Sequence, residues 1–293
     1  MKKVKAIWEL MRLEHGIMIA VAIVIGAYIA QQRLPEWDVF VFTFCTALFL
    51  EASTFALNDY LDVDIDKKNK RTDRPLVRGD LSPKTALLFF AVLFPLGIIS
   101  SYFVNLTCFL IALITALFAV FYDTVLKKVK LLGNFFIAYT MAIPFVFGGV
   151  AVLHTNTLNL NVSPSIFILA SIAFFAGSGR EIMKDIQDFE GDKVKGVQSF
   201  PRYLGIRSSQ ILSAVFYLVA IALSLLPYAL PIFEVYYQNF TYLLLVFIAD
   251  TMFLTTALQL MVMKHPHLAF HRKFTLGALC IGLIAFLGGA LII

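Results

Sequence analysis

Apolar residues in this chain come in runs close to 20 residues long, separated by short polar stretches. Runs of that length cross the hydrocarbon layer of a bilayer as α-helix, the form that satisfies its own backbone hydrogen bonds there. Nine runs are legible, at about 16–31, 39–57, 84–103, 106–122, 131–153, 164–183, 209–229, 238–262 and 273–293. The first is short, and the amphipathic stretch 4–14 before it offers an extension. The pattern predicts an all-α polytopic membrane protein of nine transmembrane helices, forming one domain over 1–293.

Composition agrees with the pattern. Of the 293 residues, 60% are hydrophobic and 15% charged, against about 25% charged in a soluble domain. Lys2, Lys3 and Lys5 open the chain like a secretory leader. The stretch that follows is long, contains Glu9 and Glu14, and leads into eight further spans, so a leader is not expected. Cys45, Cys108 and Cys280 all fall inside spans and have neither disulfide nor zinc spacing.

The distribution of charge says more than its total of +5. With the N-terminus in the cytoplasm, 23 of the 24 lysines and arginines fall on the cytoplasmic side, and only Arg33 falls opposite. The positive-inside rule therefore fixes the orientation in a cell membrane. The same asymmetry accounts for the basic residues without a nucleic-acid partner.

The acids carry a hidden repeat. Six of the 12 aspartates form two copies of D-x-x-D-x-x-x-D: Asp59, Asp62 and Asp66 in NDYLDVDID, and Asp185, Asp188 and Asp192 in KDIQDFEGD. Chance supplies roughly 0.02 such triplets in a chain of this make-up. A constant offset of 126 residues relates the copies, and it also maps Lys67 onto Lys193 and Pro75 onto Pro201. Each copy follows an even-numbered span. The chain thus reads as two parallel pseudo-repeats, about 1–126 and 127–250, with an extra C-terminal helix.

On a helix, positions i, i+3 and i+7 fall within about 60° of one another, so each triplet shares one face. Glu181 joins the second face. At the bilayer centre six carboxylates would cost on the order of 15–20 kcal/mol, more than a typical folding stability. They belong at the water boundary, facing a polar space and neutralised. A hard divalent cation does this through carboxylate oxygens, and magnesium also takes substrate phosphates. Asn58 adds a neutral oxygen.

Bases are interleaved with these acids: Lys67, Lys70, Arg71, Arg74 and Arg78 after the first motif, and Arg180, Lys184, Lys193 and Lys195 around the second. Tyr122, Lys127, Lys128 and Lys130 lie between spans 4 and 5. Acids that hold metal beside bases that hold phosphate suit a diphosphate. Taken singly, each base is also explained by membrane orientation. Asp250, inside span 8, is either functional or hydrogen-bonded to a neighbouring helix. His265, His267 and His271 read as a solvated loop before a metal site. Gly148 with Gly149, and Gly288 with Gly289, suit close helix packing.

NDYLDVDID, DRPL at 73–76, YDTVLKK at 122–128 and REIMKDIQDFEGDK at 180–193 together resemble the UbiA-type intramembrane prenyltransferases, over nearly the whole chain. The resemblance implies a helical bundle around a central cavity whose polar end holds a diphosphate between two magnesium ions. Asn58, Asp59, Asp62 and Asp66 would serve one ion, and Asp185, Asp188 and Asp192 the other. Asp62, Asp66, Asp188, Asp192 and Lys127 would be catalytic. Arg12, His15, Lys67, Arg71, Arg74, Tyr122, Lys127, Arg180, Lys184 and Lys193 would bind substrate. One departure is the first helix, where MRLEH places Arg12 and His15 in a stretch that in many relatives pairs arginine with asparagine.

The flanks of the second motif look most like the ether-lipid branch of that family, whose members join a geranylgeranyl chain to geranylgeranylglyceryl phosphate and release diphosphate. The expected partners are therefore a polyprenyl diphosphate, a lipid acceptor and the membrane. The alternatives are prenylation of an aromatic acid or quinone precursor and, more remotely, a cation-coupled transporter. The transporter would place its acids near the bilayer midplane, whereas these lie at span ends.

Overall fold

A computed structural model describes residues 2–291 apart from Asn69, Lys127, Lys128, His154, Asn156 and Lys195, with the backbone alone at 2 and 192–194. Helices α1 to α11 run Lys2–Met11, Leu13–Gln31, Trp37–Lys68, Pro75–Arg78, Pro83–Tyr102, Leu106–Thr124, Lys130–Ala151, Pro164–Val194, Phe200–Ala229, Phe240–Val262 and Leu268–Leu291, and a 3₁₀ helix spans Pro231–Tyr236. Among the described residues no β-strand occurs, and nine helices are long and apolar enough to cross a membrane. All nine fall on the apolar runs.

The helices outlast the apolar runs where the acids are. The runs end near 57 and 183, but α3 continues to Lys68 and α8 to Val194. Both motifs therefore lie on helix, as their spacing requires. Lys67 and Lys68 in the last turn of α3 oppose its dipole. α9 likewise begins at Phe200, before its apolar run, and is interrupted at Gly205, whose φ of 79° lies in the left-handed region.

The first span does not extend back through 4–14. Arg12 adopts φ 43° and ψ 51°, so α1 and α2 are separate helices. α1 carries its own apolar face, with Ala6 and Leu10 buried, and needs no continuity with α2 to be stable.

The chain divides into two compact units, 1–125 with 147–161, and 126–146 with 162–293. In the first, α3 is the centre, packing against α1, α2, α4, α5 and α6. Leu10, Ala56, Leu76 and Ala86 form a cluster that ties α1, α3, α4 and α5 together beside the first aspartate motif. In the second, α8, α9, α10 and α11 pack in order and α11 returns to α8. Ala176, Met183, Ala214, Tyr217, Phe253, Ala257, Leu260 and Ala278 make its main core. A second cluster of Ile182, Ile186 and Phe200 packs Leu131 and Phe135 of α7 onto α8 beside the second motif.

At the ends away from the motifs, two asparagines start helices. Asn105 Oδ1 accepts the N–H of Cys108 while its Nδ2 donates to the Val150 carbonyl. Asn239 Oδ1 accepts the N–H of Tyr242 while its Nδ2 donates to the Val235 and Gly289 carbonyls. Each side chain satisfies an orphan amide of the first turn and ties the cap to a second segment.

Close packing falls on Gly148 in the first unit: a Cβ there would run into the Ile23 carbonyl of α2. Backbone cannot yield as a side chain can, so Gly148→Ala should cost about 2–3 kcal/mol. Gly282, where a methyl group would meet nothing within 4 Å, should accept alanine with a gain of about 0.5–1 kcal/mol. Thermal unfolding in detergent compares the two, and equal midpoints would contradict this packing.

Candidate active site

The first motif is built around Asp59, 2% exposed on α3. Two arginines converge on one of its oxygens: Arg12 Nη2 at 3.0 Å and Arg74 Nη1 at 2.7 Å from Oδ1. The local sequence explains both. Pro75 opens α4 and forces Arg74 into an extended backbone, φ −93° and ψ 126°, which turns its side chain back onto α3. Leu76 anchors that turn in the apolar cluster. On the other side Leu10 anchors α1, and the left-handed break at Arg12 directs the guanidinium inward, where it lies 4.0 Å above the ring of Phe55. Burial pulls the basicity of Arg12 down and the Asp59 carboxylate opposes that pull. Arginine stays charged throughout.

Arg74 also faces the third aspartate, with Nε 3.9 Å from Asp66 Oδ2. Asp66 is buried, Asn58 and Asp62 are half-buried, and all lie on the same stretch of α3. Asp59 Oδ2 is buried with no hydrogen-bond partner.

The second motif repeats the arrangement with different partners. Asp185, 1% exposed on α8, accepts Asn134 Nδ2 at 2.7 Å on Oδ2 and lies 3.3 Å from Lys130 Nζ through Oδ1. Lys130 and Asn134 are one turn apart on α7, which Leu131 and Phe135 hold against α8. Asp188 is exposed. Lys127 and the side chains of Asp192 and Lys193 lie outside the described residues.

Several other expected residues have partners outside the motif carboxylates. Arg71 forms a two-pronged pair with Asp73, at 2.9 and 2.8 Å, and that hydrogen bonding holds the Asp73 carboxyl below its ordinary range. Arg78 pairs with Glu9 and with Asp80, joining α1 to the turn after α4. Lys67 is exposed, Tyr122 half-buried, and His15 meets Phe55 edge-on at 5.4 Å. Arg180 reaches across to α11, donating to the Arg272 carbonyl at 3.3 Å, with its Nε buried and unpartnered. Glu181 pairs with Lys184 at 3.1 Å.

Two polar groups outside the motifs have structural partners. Asp250 accepts a hydrogen bond from Ser224 Oγ of α9 at 2.8 Å and lines an apolar cavity of about 40 Å³. His271 is not in a solvated loop. It is buried on α11, 3.1 Å from Thr256 Oγ1 and 2.8 Å from Gln259 Oε1. The helix begins at Leu268, earlier than the apolar run, and the polar side chains of α10 satisfy the imidazole.

Sequence reasoning missed Asn134 and Glu51. Asn134 is a lone amide one turn after Lys130 in an apolar span, which was a readable signal. Glu51, Phe55, Asp59, Asp62 and Asp66 follow a 4, 4, 3, 4 spacing on one helix face. Glu51 thus shares the helix face of the motif acids.

Hard oxygens suit magnesium, and the half-buried Asn58 and Asp62 and the exposed Asp188 present such oxygens at the helix ends. Among the described residues no three His, Cys, Asp or Glu side chains gather as a cage for an ion. Magnesium seldom uses such a cage: it takes one or two carboxylates and completes its shell with water and substrate phosphates. The residues fit an ion of that kind.

The chain belongs to the UbiA prenyltransferase family, whose model matches residues 19–290. It is 39% identical over 288 residues to a digeranylgeranylglyceryl phosphate synthase of Archaeoglobus fulgidus, covering 98% of this chain and 95% of that one. The counterpart from Methanosarcina barkeri is 34% identical, with 98% of each chain covered. A solved structure concerned with digeranylgeranylglyceryl phosphate synthase in membranes superposes with a TM-score of 0.84 at 34% identity, over 100% of both chains. A UbiA homologue from Archaeoglobus fulgidus bound to DMAPP and Mg2+ shares the fold, with a TM-score of 0.61 at 14% identity.

Removing the amide that Asp185 depends on should be costly. Asn134→Ala should lower stability by about 1–3 kcal/mol, the range for a buried acceptor left short of a partner. Chemical denaturation in detergent measures it, and an unchanged midpoint would mean that Asn134 does not support Asp185.

Proposed function

We propose that this chain transfers a geranylgeranyl chain from geranylgeranyl diphosphate to geranylgeranylglyceryl phosphate, with magnesium, and releases diphosphate. The observation that carries this reading is near-full-length identity of 39% to a relative named for that activity. The carboxylates and bases grouped at helix ends supply the chemistry that it needs. The positive-inside asymmetry supports a reading in which those ends face the cytoplasm from the cell membrane.

Asn58, Asp62 and Asp66 would hold one ion, and Asp188, together with Asp192, another. Magnesium, when bound, supplies Lewis-acid stabilisation of the charge on departing diphosphate. Arg12, Arg74 and Lys130 hold fixed positive charge close to the motifs, and such preorganised charge favours the transition state over the ground state. The allylic C1–O bond breaks with its electron pair leaving on diphosphate. The acceptor hydroxyl oxygen then bonds to C1 and gives its proton to a phosphate oxygen. Neither motif contains a histidine to act as base. Apolar helix walls keep water from the cation.

Purified protein given geranylgeranyl diphosphate should form an ether with geranylgeranylglyceryl phosphate, none with 4-hydroxybenzoate, and little with a glycerol lipid lacking the phosphate. Prenylated hydroxybenzoate as the only product would move the enzyme to aromatic acceptors. Chelator should abolish turnover and magnesium restore it.

Asp62→Asn and Asp188→Asn should each lower kcat at least about 100-fold, the scale of losing one contact to developing charge. Normal turnover in either variant would make that motif structural.

A further inference from the structure

The two motifs agree in one respect that their shared spacing does not require. In each, the first aspartate is buried and already engaged: Asp59 by Arg12 and Arg74, Asp185 by Lys130 and Asn134. In each, the second aspartate is more open, with Asp62 half-buried and Asp188 exposed. The partners come from unrelated sequence, the α1–α2 break and the turn before α4 in one unit, and α7 in the other. Two different solutions to the same pairing, 126 residues apart, point to a requirement on the first position itself.

We infer that Asp59 and Asp185 are positioning residues and not magnesium ligands: each fixes cationic side chains where they meet the phosphate groups of substrate. The inference rests on the prenyl-transfer reading and refines its division of labour. The geometry argues for it in three ways. Asp59 Oδ1 is shared by two guanidiniums, so a divalent ion on that carboxylate would be repelled by both. Magnesium retains several waters, and a carboxylate that is 2% exposed has no room for a hydrated ion unless its partners leave. Each guanidinium uses one nitrogen on Asp59, with Arg12 Nη2 and Arg74 Nη1. A fork of five donors keeps others for phosphate oxygens. Asp185 acts the same way on the ammonium of Lys130, and Asn134 fixes the second oxygen of that carboxylate.

The phosphate chemistry has two sources, the donor diphosphate and the acceptor phosphate, and the KM for each substrate separates them. Asp59→Asn and Asp185→Asn should raise the KM of one phosphate substrate at least tenfold and leave half-saturating magnesium within twofold. Asp62→Asn and Asp188→Asn should shift half-saturating magnesium at least tenfold. Binding of Mn2+ to the solubilised full chain, titrated with inorganic pyrophosphate present, gives the same comparison without turnover. A loss of Mn2+ binding in Asp59→Asn or Asp185→Asn as large as in Asp62→Asn would overturn the inference for that residue.

Asp59→Asn leaves two guanidiniums with a neutral partner and could fail to fold. Arg74→Gln keeps the carboxylate and asks the converse question. A positioning role predicts a raised KM and no gain in Mn2+ affinity. A carboxylate that arginine merely masks would bind Mn2+ several-fold more tightly once freed, and that result overturns the inference. Failure of wild-type protein to release diphosphate would instead reject the functional reading, with the Mn2+ titrations still deciding the roles of the carboxylates.

Discussion

A carboxylate buried at the end of a membrane helix must be neutralised, and in each unit the residues around the first motif aspartate meet that need. Desolvating a charge costs several kcal/mol unless a partner and hydrogen bonds offset it. For Asp59 the offset is two guanidiniums; for Asp185 it is an ammonium and an amide. The apolar clusters beside the motifs follow from this. Leu10 and Leu76 fix the segments that carry Arg12 and Arg74, and Leu131 and Phe135 fix the helix turn that carries Lys130 and Asn134. Packing thereby sets electrostatics: a displaced leucine on α1 or α4 would move a charge.

The same need shapes the helix boundaries. Hydropathy ends α3 and α8 where charge begins, yet both continue in order to align their acids on one face. Once a helix leaves the hydrocarbon, its backbone is satisfied internally and its charged side chains meet water, so nothing stops it until a breaker intervenes. The break at Arg12 is the counter-example: there one left-handed residue separates two helices and turns a guanidinium inward.

The nine spans and both acid motifs were legible because each depends on a periodic signal, run length for the spans and the 126-residue offset for the acids. The partners of the acids were less so. Arg12 and Arg74 stand among many bases, and nothing local separates them from Arg71, which spends its guanidinium on Asp73. That choice is made by Pro75 and Leu76, through backbone direction and burial. Asn134 left a faint mark, one amide in an apolar run, and gains its meaning only from α8 alongside. His271 read as a loop residue because its neighbours are polar, whereas Thr256 and Gln259 bury it. Sequence shows which groups are costly to bury; tertiary packing decides which partner offsets the cost.

The asparagine caps far from the motifs carry a different implication. Asn105 and Asn239 are each followed two residues later by threonine, and Asn161 by Ser163, so all three match the acceptor pattern for N-linked sugars. Asn105 and Asn239 immediately precede α6 and α10, and Asn161 lies three residues before α8. Yet the Asn105 and Asn239 amide nitrogens are donated to carbonyls of Val150 and Gly289, and both oxygens cap helices. In the folded chain a glycosyl-transferring enzyme meets two of these three acceptors already closed, and only Asn161 presents an exposed side chain.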